Sequence, residues 1–285
     1  MGIILGLIAA ILYGSSDFAG GLASRRIPSG TVNLIGAIAA TVAIWTVLLV
    51  SHPAAPAAGA VIWGLLGSVG NAAGSTALYR GLARGQMSVV GPVSAVGAAV
   101  VPVVAGLAMG ERPGLLTVLG MIVALPAIAL VAASGGKITL RGKGSAGLTD
   151  GLAAGAAFGV LFIAMAKAGQ HSGLWPVAVE TLSSLVLFTA MKLRADRASG
   201  DRDHARTPLR QLVMPVFAGV SGVAATLTFF FSSHLSMLST AAVLVSLYPG
   251  VTVLLARLLL HERFSGVQRV GIGLCAFAVV AIAVH

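Results

Sequence analysis

Two carboxylates stand where apolar side chains belong. Asp17 lies in "YGSSDFAGG" and Glu180 in "PVAVETLSS", each inside a long hydrophobic stretch. A charge at the centre of a bilayer costs about 2.5–3.5 kcal/mol on insertion scales, and spanning requires neither residue. At 3.6 residues per turn Tyr13, Ser16, Asp17, Gly20 and Ser24 fall on one helical face, a polar stripe that should look into a bundle and away from lipid. Three roles fit Asp17: a protonatable site, a counter-ion for a cation, or an anchor for an amine. The alternative is an aspartate paired with a neighbouring helix for packing, or one near a water-exposed rim. Glu180, flanked by Thr181, Ser183 and Ser184, reads either as a second titrating carboxylate or as a structural partner for a basic group.

Other polar residues at depth follow the same pattern. Asn71 shares a face with Ser75, Leu78 and Tyr79, so Asn71, Ser75 and Tyr79 either line a cavity or tie helices together by hydrogen bonds. Ser221, Thr228 and Ser232 suit packing between helices or bonds back to their own helix. Pro92, Pro102 and the pair Pro249–Gly250 interrupt backbone hydrogen bonding, and Pro92 with Pro249–Gly250 could act as hinges or as static kinks. Tyr248, just before that break, either meets a ligand or sits as an interfacial ring. Glu111–Arg112 and Glu262–Arg263 each close an apolar run, which points to helix-terminal networks pinning the fourth helix to the fifth and the ninth to the tenth. The histidines lie at run ends or in loops without metal-ligand spacing, so no metal site and no cofactor is expected. Cys275 is the one cysteine, which rules out an intramolecular disulfide.

The elements that must position these residues are transmembrane helices. Hydrophobic residues make up 57% of the 285 and charged residues 9%, with mean hydropathy +0.99, against roughly 25% charged in a soluble domain. A span needs about 20 apolar residues. Polar punctuation marks ten helices near 3–24, 30–50, 58–82, 86–109, 115–133, 147–168, 172–193, 211–233, 236–260 and 266–284. The first run has no basic flank before it, unlike a cleaved signal peptide, and is read as a retained helix. The formal charge of +10 sits at run ends, so it reports orientation and not nucleic-acid binding. Of the lysines and arginines assigned to loops, only Arg112 and Lys167 fall on even-numbered ones; the positive-inside rule then makes the odd loops cytoplasmic and both termini external.

The chain repeats itself. "GLIAAILYGSSDF" from Gly6 aligns with "GLAAGAAFGVLFI" from Gly151, pairing Gly6 with Gly151, Tyr13 with Phe158, and Gly14 with Gly159. "LAMGERPGLLTVLG" aligns with "LLLHERFSGVQRVG", pairing Glu111 with Glu262 and Gly120 with Gly271. The boundaries are 1–134 and 147–285, with 135–146 as linker. Five helices is an odd number, so the second half enters from the opposite side and the repeat is inverted. In such folds a substrate site lies near the midplane between halves.

The five-plus-five pattern, the "GER" and "HER" helix ends and "LYPGVTVLLARLLLHERFSGVQRVGIGL" resemble the EamA-type carriers of the drug/metabolite transporter superfamily, over essentially the whole chain. The resemblance implies an all-α polytopic membrane protein of ten helices, working as a secondary transporter in the cell membrane. It implies a proton-coupled exporter of a small metabolite, amino acid or toxic small molecule, with an uncoupled or exchange facilitator, or a lipid-flipping or regulatory membrane partner, as alternatives. The expected partners are the small-molecule substrate, protons and the bilayer, with the protein a monomer or an oligomer of unknown order. The resemblance also implies both termini inside, against the charge distribution; the charges, spread over five loops, are given more weight. In the small four-helix members an acid in the first helix binds proton and cationic drug, and Asp17 is similar in helix and chemistry, although its repeat counterpart is Phe162. An intramembrane aspartyl protease is disfavoured, because the remaining aspartates lie in or beside loops.

Overall fold

A computed structural model describes residues 1–52, 54–83, 87–132, 144–169, 172–199, 208–260 and 265–283, and among these there is no strand. The helices are α1 (Gly2–Ser24), α2 (Ser29–Ser51), α3 (Ala58–Ala83), α4 (Met87–Ala108), α5 (Leu115–Ala132), α6 (Gly144–Lys167), α7 (Trp175–Ser199), α8 (Leu209–Leu235), α9 (Leu238–Val245), α10 (Tyr248–Leu260) and α11 (Gly266–Ala283). They follow the ten apolar runs, the ninth being split into α9 and α10. Among the described residues, five helices are long and apolar enough to cross a bilayer: α1, α2, α6, α7 and α8. Their outward faces carry exposed aliphatics such as Val42, Val186 and Val213, which suits contact with acyl chains.

The strongest packing runs between the two halves of the sequence. Helix α1 packs on α8, and α6 on α3; α2 packs on α8, and α7 on α3; α4 packs on α6, as α9 and α10 do on α1. Exchanging the halves maps each contact onto another. The remaining large contacts, α2 with α7 and α5 with α11, map onto themselves. The halves are therefore interleaved, and each half buries its apolar surface mainly against the other.

Glycines make this approach close, at repeat-matched positions. A methyl group on Gly6 would lie 3.2 Å from the Leu244 side chain of α9, and one on Gly151 would lie 2.8 Å from Val93 of α4. One on Gly14 would meet Val251 at 2.5 Å, and one on Gly159 would meet Val101 at 2.6 Å. Gly120 of α5 faces Ile282 and Ala278 of α11, while Gly271 of α11 faces Leu130 and Val131 of α5. Small residues let helix backbones approach where lipid offers no hydrophobic drive for association.

Contacts near the loops define two ends of the bundle. At the even-loop end, Ser232 Oγ donates to the Gly2 carbonyl at 2.8 Å, and Trp175 Nε1 donates to the Ala54 carbonyl at 2.7 Å. Trp45 stacks edge-on against Trp175 at 6.1 Å. At the odd-loop end, Arg80 Nη2 and Nε reach Asp150 Oδ1 at 2.6 and 3.0 Å, and Gln268 Nε2 donates to the Val131 carbonyl at 3.4 Å.

Two expectations change, and a third is decided between its alternatives. Glu111 does not tie α4 to α5: its Oε1 and Oε2 accept the backbone N–H groups of Leu238 and Ser239 at 2.5 and 3.0 Å, capping α9 of the other half. Gly110 at φ +93° turns the chain sharply after α4 and directs Glu111 toward that helix start, where a carboxylate meets free donors and a favourable dipole. Ser232 bonds to α1, unlike Ser221 and Thr228, which bond back to their own helix carbonyls. The break in the ninth pass falls at Ser246–Leu247, leaving Pro249 in the first turn of α10, where its missing N–H costs nothing. Position 92 lies inside α4, which runs unbroken to Ala108, its side chain being outside the described residues. Arg112 is exposed, and Glu262 and Arg263 lie outside the described residues.

Gly155 and Gly97 carry the α4–α6 crossing: a methyl on Gly155 would lie 2.8 Å from the Gly97 Cα. Gly155→Leu should lower the thermal unfolding temperature sharply in detergent, by at least the roughly 1–3 kcal/mol of overpacking. Gly273→Leu, in open space, should leave it near wild type. Glu111→Ala, measured the same way, should cost about 1–2 kcal/mol through the lost cap of α9.

Candidate functional site

The polar stripe of α1 does face inward. Tyr13, Ser16 and Asp17 line a cavity of about 130 Å³ together with Asn71, Ser75 and Tyr79 of α3, Glu180 of α7 and Tyr248 at the start of α10. All eight residues singled out from the sequence for substrate or proton binding thus surround one space between the halves. Helical periodicity accounts for the convergence within α1 and α3; the meeting of the four helices follows from the interleaved packing.

Each polar group is held differently. Tyr13 OH and Thr226 Oγ1 are 2.8 Å apart, joining α1 to α8. Ser16 Oγ donates to the Ala218 carbonyl at 2.8 Å. Tyr79 places its hydroxyl against Gly20, where a larger residue would collide. Glu180 is 2% exposed; its Oε1 accepts from Asn71 Nδ2 at 2.8 Å and from Ser184 Oγ at 2.8 Å. Asn71 Oδ1 in turn accepts from Ser75 Oγ at 3.1 Å, which fixes the amide orientation with its Nδ2 toward Glu180. Of the two expectations for Glu180, pairing with a basic group is not what is found: its partners are neutral donors. Asp17 is half-buried, and no hydrogen bond or ion pair ties it to any other described residue.

Sequence reasoning missed part of the lining. Asn33, Gly36 and Ala37 of α2, and Gly219 and Gly222 of α8, also border the cavity. Gly36 and Gly219 meet backbone to backbone: a methyl on Gly219 would collide with the Gly36 carbonyl, while one on Gly36 would sit in ordinary contact. Phe158 and Phe162 add aromatic wall from α6; Tyr13 and Phe162 have ring centroids 6.0 Å apart, and Tyr13 and Tyr248 6.5 Å.

The lining is drawn from both ends of the bundle. Asn33 and Gly36 of α2 and Asn71, Ser75 and Tyr79 of α3 come from the odd-loop halves of their helices, whereas Glu180 and Ser184 of α7 and Phe158 and Phe162 of α6 come from the even-loop halves. Toward the even-loop end the same helices pack into an apolar core containing Ile44, Leu48, Met165, Val177, Phe229 and Phe230, each at most 3% exposed. Among the described residues no group of histidine, cysteine or carboxylate side chains could hold a metal ion.

Fifteen chains of known structure match this fold. One, titled "Crystal structure of protein", aligns with a TM-score of 0.79 over 99% of this chain and 96% of its own, at 14% identity, a likeness of fold. No curated protein matches the chain in sequence. The sequence model of the EamA-like transporter family matches residues 1–133 and 146–284, nearly the whole chain in two parts. The chain belongs to the EamA-like transporter family.

Proposed function

We propose that this transporter is a proton-coupled exporter of a small metabolite, amino acid or toxic small molecule, moved through the cavity between two inverted five-helix repeats, 1–134 and 147–285, by alternating access. The observation that carries the reading is Asp17: a carboxylate at depth, facing a cavity, with no hydrogen bond or ion pair to another described residue. An ionisable group so placed is costly to the fold and has its use in meeting something that enters. Asp17 binds a proton, the substrate's cationic group, or each in turn. The other seven residues, Tyr13, Ser16, Asn71, Ser75, Tyr79, Glu180 and Tyr248, shape the site around it.

The basic odd loops support an orientation in the cell membrane with those loops in the cytoplasm and both termini outside. Substrate then enters from the cytoplasm, and export requires the even-loop end to open. The interruption at Ser246–Leu247, one residue from the cavity-lining Tyr248, supports a hinge there, with Pro249 and Gly250 shaping the following turn.

Cells expressing wild type should deplete a compound from the cytoplasm, seen by untargeted metabolite and dye profiling, and an uncoupler should stop it. Asp17→Asn at matched membrane levels should lose this depletion by tenfold or more while unfolding at an unchanged temperature. Equal transport by the two proteins would make Asp17 structural. Orientation has its own readout in a Cys275→Ala background. A membrane-impermeant maleimide should label His52→Cys in intact cells and Arg25→Cys only after permeabilisation; the reverse pattern would invert the topology.

A further inference from the structure

We infer that the cavity selects an organic ammonium ion, and that Glu180 is the group that anchors it, with Asn71 and Ser184 as its positioning residues. This rests on reading the cavity as the transport site. The first ground is the charge of the lining. Asp17 and Glu180 are the charged side chains that border the cavity, and no lysine, arginine or histidine is among the described lining residues. Arg80, at the odd-loop end of α3, is engaged by Asp150. In an enclosure of low dielectric, a cationic solute meets two acids able to ionise against it and an anionic one meets no described base, a difference that selects by sign.

The second ground is the way Glu180 is held. Both neutral donors bond the same oxygen: Asn71 Nδ2 and Ser184 Oγ each lie 2.8 Å from Oε1. Oε2 accepts from no described residue. Two neutral donors fix the direction of a carboxyl group without cancelling a charge on it, and at 2% exposure the group is either protonated or meets a positive partner. The network is layered, since Ser75 orients Asn71 and Asn71 orients Glu180. Such preorganisation leaves one oxygen without a described partner, open to a ligand at little entropic cost. An ammonium group, a compact charge with several donors, suits a single free oxygen better than a planar guanidinium fork does.

The third ground is the wall. The rings of Tyr13, Phe162 and Tyr248 stand tilted to one another at 6.0 and 6.5 Å between centroids. They offer faces for an apolar body and cation–π contact for its charged end. The ligand class is therefore a compact amphipathic amine, aromatic or branched aliphatic, carried as its ammonium ion.

The test uses the purified full chain and three probes of nearly equal size at pH 7: phenethylamine as its ammonium ion, neutral 2-phenylethanol, and anionic 3-phenylpropanoate. Binding is read by isothermal titration. The amine should bind saturably and at least tenfold tighter than the alcohol, with the anion weakest. Glu180→Gln should remove the preference for amine over alcohol while leaving alcohol binding. Asn71→Ala and Ser184→Ala should each reduce the preference severalfold, and the thermal unfolding of each ligand-free variant checks that it is folded. Anion binding equal to amine binding, no saturable amine binding, or a Glu180→Gln protein that keeps the preference would each overturn the assignment. A neutral or anionic compound exported by cells while the amine fails to bind would remove the ammonium assignment and leave the export function standing.

Discussion

Hydrocarbon offers no hydrogen-bond partner, and this constraint shapes most of the molecule. Every backbone amide at depth must be paired within its own helix, and every polar side chain must be enclosed by protein. Enclosure requires helices to approach closely without a hydrophobic drive between them, so the contacts are made by glycine. Gly14 against Val251 and Gly159 against Val101 are the same contact made twice between the repeats, with the glycine in the first repeat and then in the second. Bulkier residues there would part the helices, and with them the wall that shields Asp17 and Glu180 from lipid.

Interleaving follows from the same constraint. A five-helix unit with apolar residues on every side has no reason to close on itself, and here its helices pack mainly with those of the other unit. The arrangement leaves a space between α1, α3, α7 and α10 where the polar faces meet. The even-loop end is filled by ordinary packing: aromatic and aliphatic side chains at near-zero exposure, with Trp45 and Trp175 set edge to face. The Glu111 cap on α9 reaches across from the loop after α4, so that end joins one repeat to the other through a carboxylate and two backbone amides.

Much of this was legible in the sequence, for identifiable reasons. Apolar runs with short polar breaks gave ten helices because span length is fixed by bilayer thickness. The spacing of Tyr13, Ser16 and Asp17 showed a face because helical period is fixed. The partner of Glu111 was not legible, because a cap across 127 residues depends on tertiary position and not on local pattern. The break at Ser246–Leu247 was expected a few residues later, at Pro249. A proline shows that a helix cannot continue through it, but not whether the chain bends at the ring or restarts a helix just before it. The glycines of α2 and α8 that border the cavity carried no local chemistry to find; only the crossing of two backbones gives them a role.

Repetition builds the frame, and departures from repetition supply the chemistry. Tyr13 and its counterpart Phe158 both line the cavity, as do Asp17 and its counterpart Phe162. Each pair occupies matched positions, yet one member is polar and the other purely aromatic. A carboxylate at 162 to match Asp17 would add a third acid to a space that already holds Asp17 and Glu180, and raise the cost of burying like charges together. Asymmetry instead sets acid and hydroxyl against ring, so that a solute with one charged end and one apolar end has a single favoured orientation. A two-fold frame therefore presents a one-fold site, whose polarity is defined by the side chains and not by the helix packing.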